Sequence, residues 1–296
     1  NGQPREQVDA VGIRVTQASY RESNFFAYPP YENTVALCAE LSRLVYFGRS
    51  GQIDKRQLSR FLGDRFDLRT VADVKNSQAF LVENDDIVVI VFRGTESSDF
   101  SDVLADLDCF FRDWRVRGKS VGRVHRGFAR ALGLVLPVLR KSLPEDSRRL
   151  IITGHSLGAA MATLAASLLK PAELYTFGEP RVGNCTFANF MHRQCAVGLI
   201  YHRYVDCCDI VSRVPPKWLG FRHAGRLHYI DRHGDVHVTP DLGYIRSDRR
   251  AARRQYWYIH SLARGNVLLR DLADHAPINY LSALLGRREK RPPVDN

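Results

Sequence analysis

Leu150-Ile151-Ile152-Thr153-Gly154-His155-Ser156-Leu157-Gly158-Ala159-Ala160-Met161-Ala162-Thr163-Leu164-Ala165-Ala166 is the stretch from which the rest of the chain is read. An apolar run, a turn bracketed by two glycines and an alanine-rich run predict a strand, a tight turn and a helix. A serine on such a turn projects its hydroxyl from the carboxyl edge of a sheet, and glycines on either side let the strand and helix backbones pass closely. Ser156 therefore reads as an exposed nucleophile. The plain alternative is a serine that merely caps a helix after a glycine turn.

At 296 residues the chain has room for one large α/β domain, and no Pro/Gly/Ser-rich linker divides it. Its 45% hydrophobic and 25% charged content is that of a soluble globular protein, and no apolar stretch is long enough to span a bilayer. No basic-then-apolar leader is visible, and the compartment is left open. Six cysteines, at 38, 109, 185, 195, 207 and 208, are too sparse for a disulfide scaffold and lack Cys-x-x-Cys spacing, so most read as small buried apolar residues. The net charge of +11 favours anionic surfaces, and much of it is local. Arg246, Arg249, Arg250, Arg253 and Arg254 form one cluster; Arg287, Arg288, Lys290 and Arg291 form another. A solvated face and a frayed terminus explain both.

Residues 1–30 read as a polar N-terminal extension, 31–286 as the α/β domain and 287–296 as a basic tail. Val35, Leu37, Cys38, Leu41, Leu44 and Val45 recur at helical spacing before Gly48 and Gly51. Residues 79–83 and 87–92, separated by Asn84-Asp85-Asp86, read as a hairpin whose second strand is buried on both faces. Further strands are predicted at 150–153, 173–177, 199–205 and 226–231, and helices at 127–140, 156–169 and 186–193. Strands alternating with helices imply a mostly parallel sheet flanked by helices.

A serine hydroxyl is a weak nucleophile near neutral pH, so it needs a histidine to take its proton and a carboxylate to fix the histidine tautomer. On a strand-to-helix elbow the acid and then the base follow the serine in the chain, which sets aside His125 and His155. Asp209 and Asp206 both follow a predicted strand, and His275 and His260 both remain as the base.

Several stretches together resemble the class 3 lipases, the family of the fungal triacylglycerol lipases. They are Phe92-Arg93-Gly94-Thr95, His125-Arg126-Gly127-Phe128, the elbow at 154–158, Tyr175-Thr176-Phe177-Gly178-Glu179-Pro180-Arg181-Val182-Gly183-Asn184, and Asp209-Ile210-Val211-Ser212-Arg213-Val214-Pro215-Pro216. The resemblance covers roughly residues 33 to 285 and implies an α/β-hydrolase fold. It also implies a triad of Ser156, Asp209 and His275, with Asp206 and His260 set aside. The oxyanion hole would then comprise Thr95 and the Leu157 backbone N–H at the nucleophile helix start.

Phe100, Val103, Leu104 and Leu107 fall at i, i+3, i+4 and i+7, and the resemblance makes residues 97–108 a lid helix over the serine. A helix packed on the core is the alternative, and 107–111 also reads as a strand. His223, His228, His233 and His237 with Asp231 and Asp235 do not suggest a metal site, because alternate positions on a hairpin face opposite ways. No cofactor or metal is required by serine chemistry. The implied activity is triacylglycerol hydrolysis at a lipid–water interface, with phospholipids or galactolipids and soluble esters as alternative substrates. A lipid-binding protein without catalysis is the reading from a different class. The partner is a lipid ester, with peripheral adsorption to anionic lipid through the basic segments and no nucleic acid.

Overall fold

A computed structural model describes residues 33–46, 53, 55–75, 77–94, 110–260 and 270–286. Thr95, the whole 97–108 segment with Phe100, Val103, Leu104 and Leu107, the extension at 1–30 and the tail at 287–296 lie outside the described residues. In chain order come α1 (Thr34–Leu44), α2 (Lys55–Leu62), β1 (Asp67–Val74), β2 (Ser77–Glu83), β3 (Ile87–Phe92), β4 (Phe111–Val116), β5 (Lys119–His125) and α3 (Arg126–Ser142). They are followed by β6 (Arg149–His155), α4 (Leu157–Leu169), β7 (Glu173–Phe177), β8 (Gly183–Asn184), α5 (Cys185–Ala196), β9 (Ile200–Asp206) and β10 (Phe221–Arg222). The last elements are β11 (Arg226–Ile230), β12 (Val236–Val238), α6 (Leu242–His260), α7 (Arg270–Ala273) and α8 (Pro277–Leu284).

The main sheet has eight strands in the order β1-β2-β3-β6-β7-β9-β11-β12. β3, β6, β7, β9 and β11 run parallel at its centre, and the antiparallel hairpins β1–β2–β3 and β11–β12 complete the two sides. β3 is buried along its whole length, as a strand with helices on both faces must be. Val89 and Val91 pack on one side with α1, α2 and α8 through Leu37, Leu41, Leu58, Ile278 and Leu281. Val88, Ile90 and Phe92 pack on the other with α3, α4 and α5 through Leu132, Leu164 and Met191. A second sheet, β10-β8-β5-β4, stands beside the first. Two of its strands are two residues long, too short to leave an alternating pattern.

α4 shows why the elbow has its composition. A Cβ on Gly158 would lie 2.2 Å from the Phe92 carbonyl oxygen, and one on Gly154 would lie 2.5 Å from the Gly158 carbonyl, so the helix touches β3 and β6 backbone to backbone. The alanines that follow are buried and continue this close approach.

One expectation needs correction. The Arg-rich run at 246–254 is part of a 19-residue helix, α6, and is not simply a solvated face. Ile245, Asp248, Ala252 and Tyr256 are its buried positions, and the acidic residue among them hides the helical periodicity. Arg249 Nε donates to the Cys207 carbonyl oxygen at 2.6 Å, and Arg253 pairs with Asp271 at 2.9 Å for Nε, so two of the five arginines tie α6 to the turn after β9 and to α7. Of the stretch at 107–111, residues 107–109 lie outside the described residues, and β4 begins at Phe111. Among the described residues no helix is long and apolar enough to cross a membrane.

Candidate active site

Ser156 is the residue between β6 and α4, with φ +60° and ψ −130°. That backbone conformation is costly for a residue with a Cβ, of order 1–3 kcal/mol, and survives only where the surroundings impose it. Here the imposition comes from both sides: Ser156 N–H donates to the Phe177 carbonyl oxygen at 3.0 Å, and the Ser156 carbonyl starts the α4 ladder at Ala159 and Ala160. Ser156 is buried, not exposed as the sequence suggests. Gly94, just beyond β3, lies against its Cβ so closely that a methyl group there would meet it at 2.9 Å. The Oγ accepts and donates no hydrogen bond among the described residues. Leu157 follows as the first residue of α4, with its N–H at the positive end of the helix dipole.

Asp209 and His275 come from two different turns. β9 ends at Asp206, and a turn closed by Asp209 N–H donating to the Asp206 carbonyl at 2.8 Å delivers Asp209 to the carboxyl edge of the sheet. His275 lies between α7 and α8. Its Nδ1 is 3.0 Å from Asp209 Oδ2, and both residues are buried. A carboxylate only accepts, so Nδ1 carries the proton and Nε2 is the basic atom. The same Oδ2 also accepts from the Tyr280 hydroxyl, while Oδ1 accepts from Val211 N–H at 2.8 Å. Three donors therefore hold this buried carboxylate in one orientation.

Asp206, the nearby alternative, turns its backbone N–H to the Tyr280 hydroxyl at 3.0 Å. His260 is the last residue of α6. The histidines near the β11–β12 hairpin do not converge: His223 Nε2 meets the Ser212 carbonyl at 2.7 Å, His228 pairs with His202 at 2.7 Å and His237 pairs with Asp231 at 2.9 Å. His125, in the stretch that resembles a helix start, caps α3 by accepting the Phe128 N–H at 3.4 Å.

The tertiary structure adds residues that the motifs did not assign. His155 contacts the His275 ring at a centroid distance of 4.5 Å, and burial and the neighbouring His275 charge hold its pKa well below the usual histidine value. Gly178 (φ +59°) is where β7 turns beneath the Asp209–His275 pair; a Cβ there would lie 2.7 Å from Asp209 Oδ2 and 2.9 Å from the His275 ring. Glu179 is buried under α4 with Thr163, Thr176 and Tyr201 hydroxyls donating to it, and burial pushes its pKa up to about 7. Cys208 and Asp274, the residues before Asp209 and His275, form a buried cluster with Cys207.

Residues 89–218 match the model of the family described as lipase (class 3). The chain is 37% identical to a lipase of Rhizomucor miehei over 162 residues, covering 50% of this chain and 43% of that protein. It is 37% identical over 117 residues to a secreted mono- and diacylglycerol lipase 1 of Fusarium solani, covering 36% of this chain and 34% of that one. The chain thus spans less than half the length of these curated relatives. Among solved structures it superposes on a triacylglycerol lipase described as having a serine-protease triad, with TM-score 0.59 and 25% identity over 86% of this chain and 98% of that one. It superposes on lipase II of Rhizopus niveus with TM-score 0.51 and 30% identity over 73% and 82% of the two chains. With these neighbours and its helix-flanked mixed sheet, the chain has the α/β-hydrolase fold and belongs to the class 3 lipase family.

Proposed function

We propose that this protein is a serine ester hydrolase acting on acylglycerols at a lipid–water interface. The observation that carries the reading is the His275 Nδ1 to Asp209 Oδ2 hydrogen bond of 3.0 Å at the same sheet edge that presents Ser156 at φ +60°. In this reading Ser156 Oγ attacks the ester carbonyl and passes its proton to His275 Nε2. Asp209 stabilises the imidazolium and keeps its orientation. The Leu157 and Thr95 backbone N–H groups receive the negative oxygen of the tetrahedral intermediate. Collapse expels the glycerol hydroxyl, which takes the proton from His275, and leaves an acyl-serine. Water, deprotonated by the same Nε2, releases the fatty acid.

The substrate class follows from the relatives, whose names include lipase and mono- and diacylglycerol lipase. The buried Ser156 supports an opening step before attack, for which the amphipathic run Phe100, Val103, Leu104 and Leu107 is our proposed lid.

The test is initial rate against concentration for short- and long-chain triglycerides, a diacylglycerol and a diacyl phospholipid, carried across each solubility limit, with Ser156→Ala as the blank. Interfacial acylglycerol hydrolysis predicts a rate jump where the long-chain substrate separates from water. It also predicts a fall of about 10⁴-fold or more in the variant. A hyperbolic curve confined to soluble esters would overturn the interfacial reading, and turnover retained in the variant would overturn the nucleophile.

A further inference from the structure

We propose that Cys207, Cys208 and Asp274 bind one thiophilic divalent cation of the zinc class, which ties the turn carrying Asp209 to the turn carrying His275. One potential ligand atom from each lies within 4.8 Å of the others, and all three residues are buried. The two sulfurs are 3.7 Å apart. Two thiolates at about 2.3 Å from a tetrahedral ion are separated by about 3.8 Å, so the pair already stands at the edge length of such a site.

Three further atoms of the cluster are buried without a hydrogen-bond partner among the described residues: Asp274 Oδ1 and Arg270 Nη1 and Nη2. Buried polar atoms left in this state are costly, and three together call for an explanation. A cation accounts for the first of them. Asp274 keeps Oδ2 on Arg270 Nε at 3.0 Å and on Cys208 N–H at 2.9 Å, while Oδ1 is left to ligate. Metal binding replaces two thiol protons, which Cys207 now donates to Asp248 Oδ2 at 3.3 Å and Cys208 to the Arg249 carbonyl oxygen at 3.6 Å. Two thiolates and one carboxylate exceed a divalent ion by one negative charge, which the Arg270 guanidinium offsets, and the Asp248 carboxylate 3.3 Å from Cys207 Sγ is paired with Arg232 at 2.9 Å.

The position gives the site its consequence. Cys207 and Cys208 are the two central residues of the turn closed by Asp209 N–H to the Asp206 carbonyl at 2.8 Å, and Asp274 immediately precedes His275. An ion here clips together the two turns whose side chains meet in the Asp209–His275 bond, without touching the reacting atoms. The histidines near the β11–β12 hairpin take no part, and the role is positional, so serine chemistry still needs no metal.

The test does not depend on activity. The full chain, expressed in zinc-supplemented cells, is measured by native mass spectrometry and elemental analysis, and refolded with Co(II) to read sulfur-to-cobalt charge-transfer absorption. Expected are one ion per chain with two protons displaced, a thiolate–cobalt band, and protection of the 207–208 peptide from alkylation until a chelator is added. Cys207→Ser/Cys208→Ser should lose the ion, whereas a variant at the exposed Cys185, Cys185→Ser, should keep it. Wild type without bound ion after both zinc-supplemented expression and refolding, or 207–208 alkylation that is the same with and without chelator, would overturn the site whether or not the double variant folds. Failure of Ser156→Ala to abolish hydrolysis would leave these readouts unmoved, so the two proposals fail separately.

Discussion

The ring of His155 holds the main chain of His275: His155 Nε2 lies 2.7 Å from the His275 carbonyl oxygen, and His155 Nδ1 lies 2.9 Å from the Tyr46 hydroxyl. A carbonyl only accepts, so Nε2 carries the proton, Nδ1 receives the Tyr46 O–H, and the ring is neutral. Its depressed pKa agrees with that assignment. The residue before the proposed nucleophile thus ties α1 and the elbow to the turn that carries the proposed base.

Tyr46→Phe leaves a buried acceptor, His155 Nδ1, without this donor. The expected cost is about 1–3 kcal/mol of stability, with kcat reduced and KM little changed. Thermal denaturation and steady-state kinetics on one ester read the two effects; a wild-type melting temperature would refute the link.

Tyr280→Phe removes one of the three donors on the Asp209 carboxylate while leaving the His275 bond in place. The variant should lose roughly tenfold in kcat, whereas Asp209→Asn should lose about 10⁴-fold because it fixes the wrong histidine tautomer. Equal losses in the two variants would contradict the ranking.

Gly178→Ala places a methyl group 2.7 Å from Asp209 Oδ2 and 2.9 Å from the His275 ring, in a backbone conformation that alanine resists. Displacing the pair by a fraction of an ångström should slow fluorophosphonate labelling of Ser156 by about 10²-fold. Labelling at the wild-type rate would show that the turn yields without moving the pair.

Glu179 sets a pH dependence of stability with an unusual sign for a carboxylate. Its pKa is raised from 4.5 to about 7 in the folded protein, chiefly by burial, so between these values the folded state binds the proton that the unfolded state has released. Stability therefore falls as pH rises from 4.5 through about 7, by up to about 3 kcal/mol. Glu179→Gln should flatten that part of the curve in urea denaturation at several pH values. An unchanged slope would assign the dependence to other groups.

The elbow, the alternation of strands and helices and the order in which chemically able residues follow Ser156 are legible along the chain. These properties are local. Glycines at 154 and 158 record a backbone contact, the β3 run records burial on both faces, and the alanines of α4 record close packing. Even the pairing of Asp209 with His275 needed the family pattern, since Asp206 and His260 were equally placed along the chain.

Which groups surround that pair depends on packing between distant segments. Tyr46 reaches His155 across 109 positions and Tyr280 reaches Asp209 across 71, so spacing carried no signal for either contact. α6 escaped notice because its buried face includes Asp248, satisfied by the Tyr229 hydroxyl at 2.7 Å and by Arg232 at 2.9 Å, partners that exist only once the chain is folded. Cys207, Cys208 and Asp274 read as unrelated residues until two turns bring them together. Local backbone preference and periodic burial are written in neighbouring residues, but hydrogen bonds and ligand sets between distant turns arise from packing, which places them where no period in the chain records them.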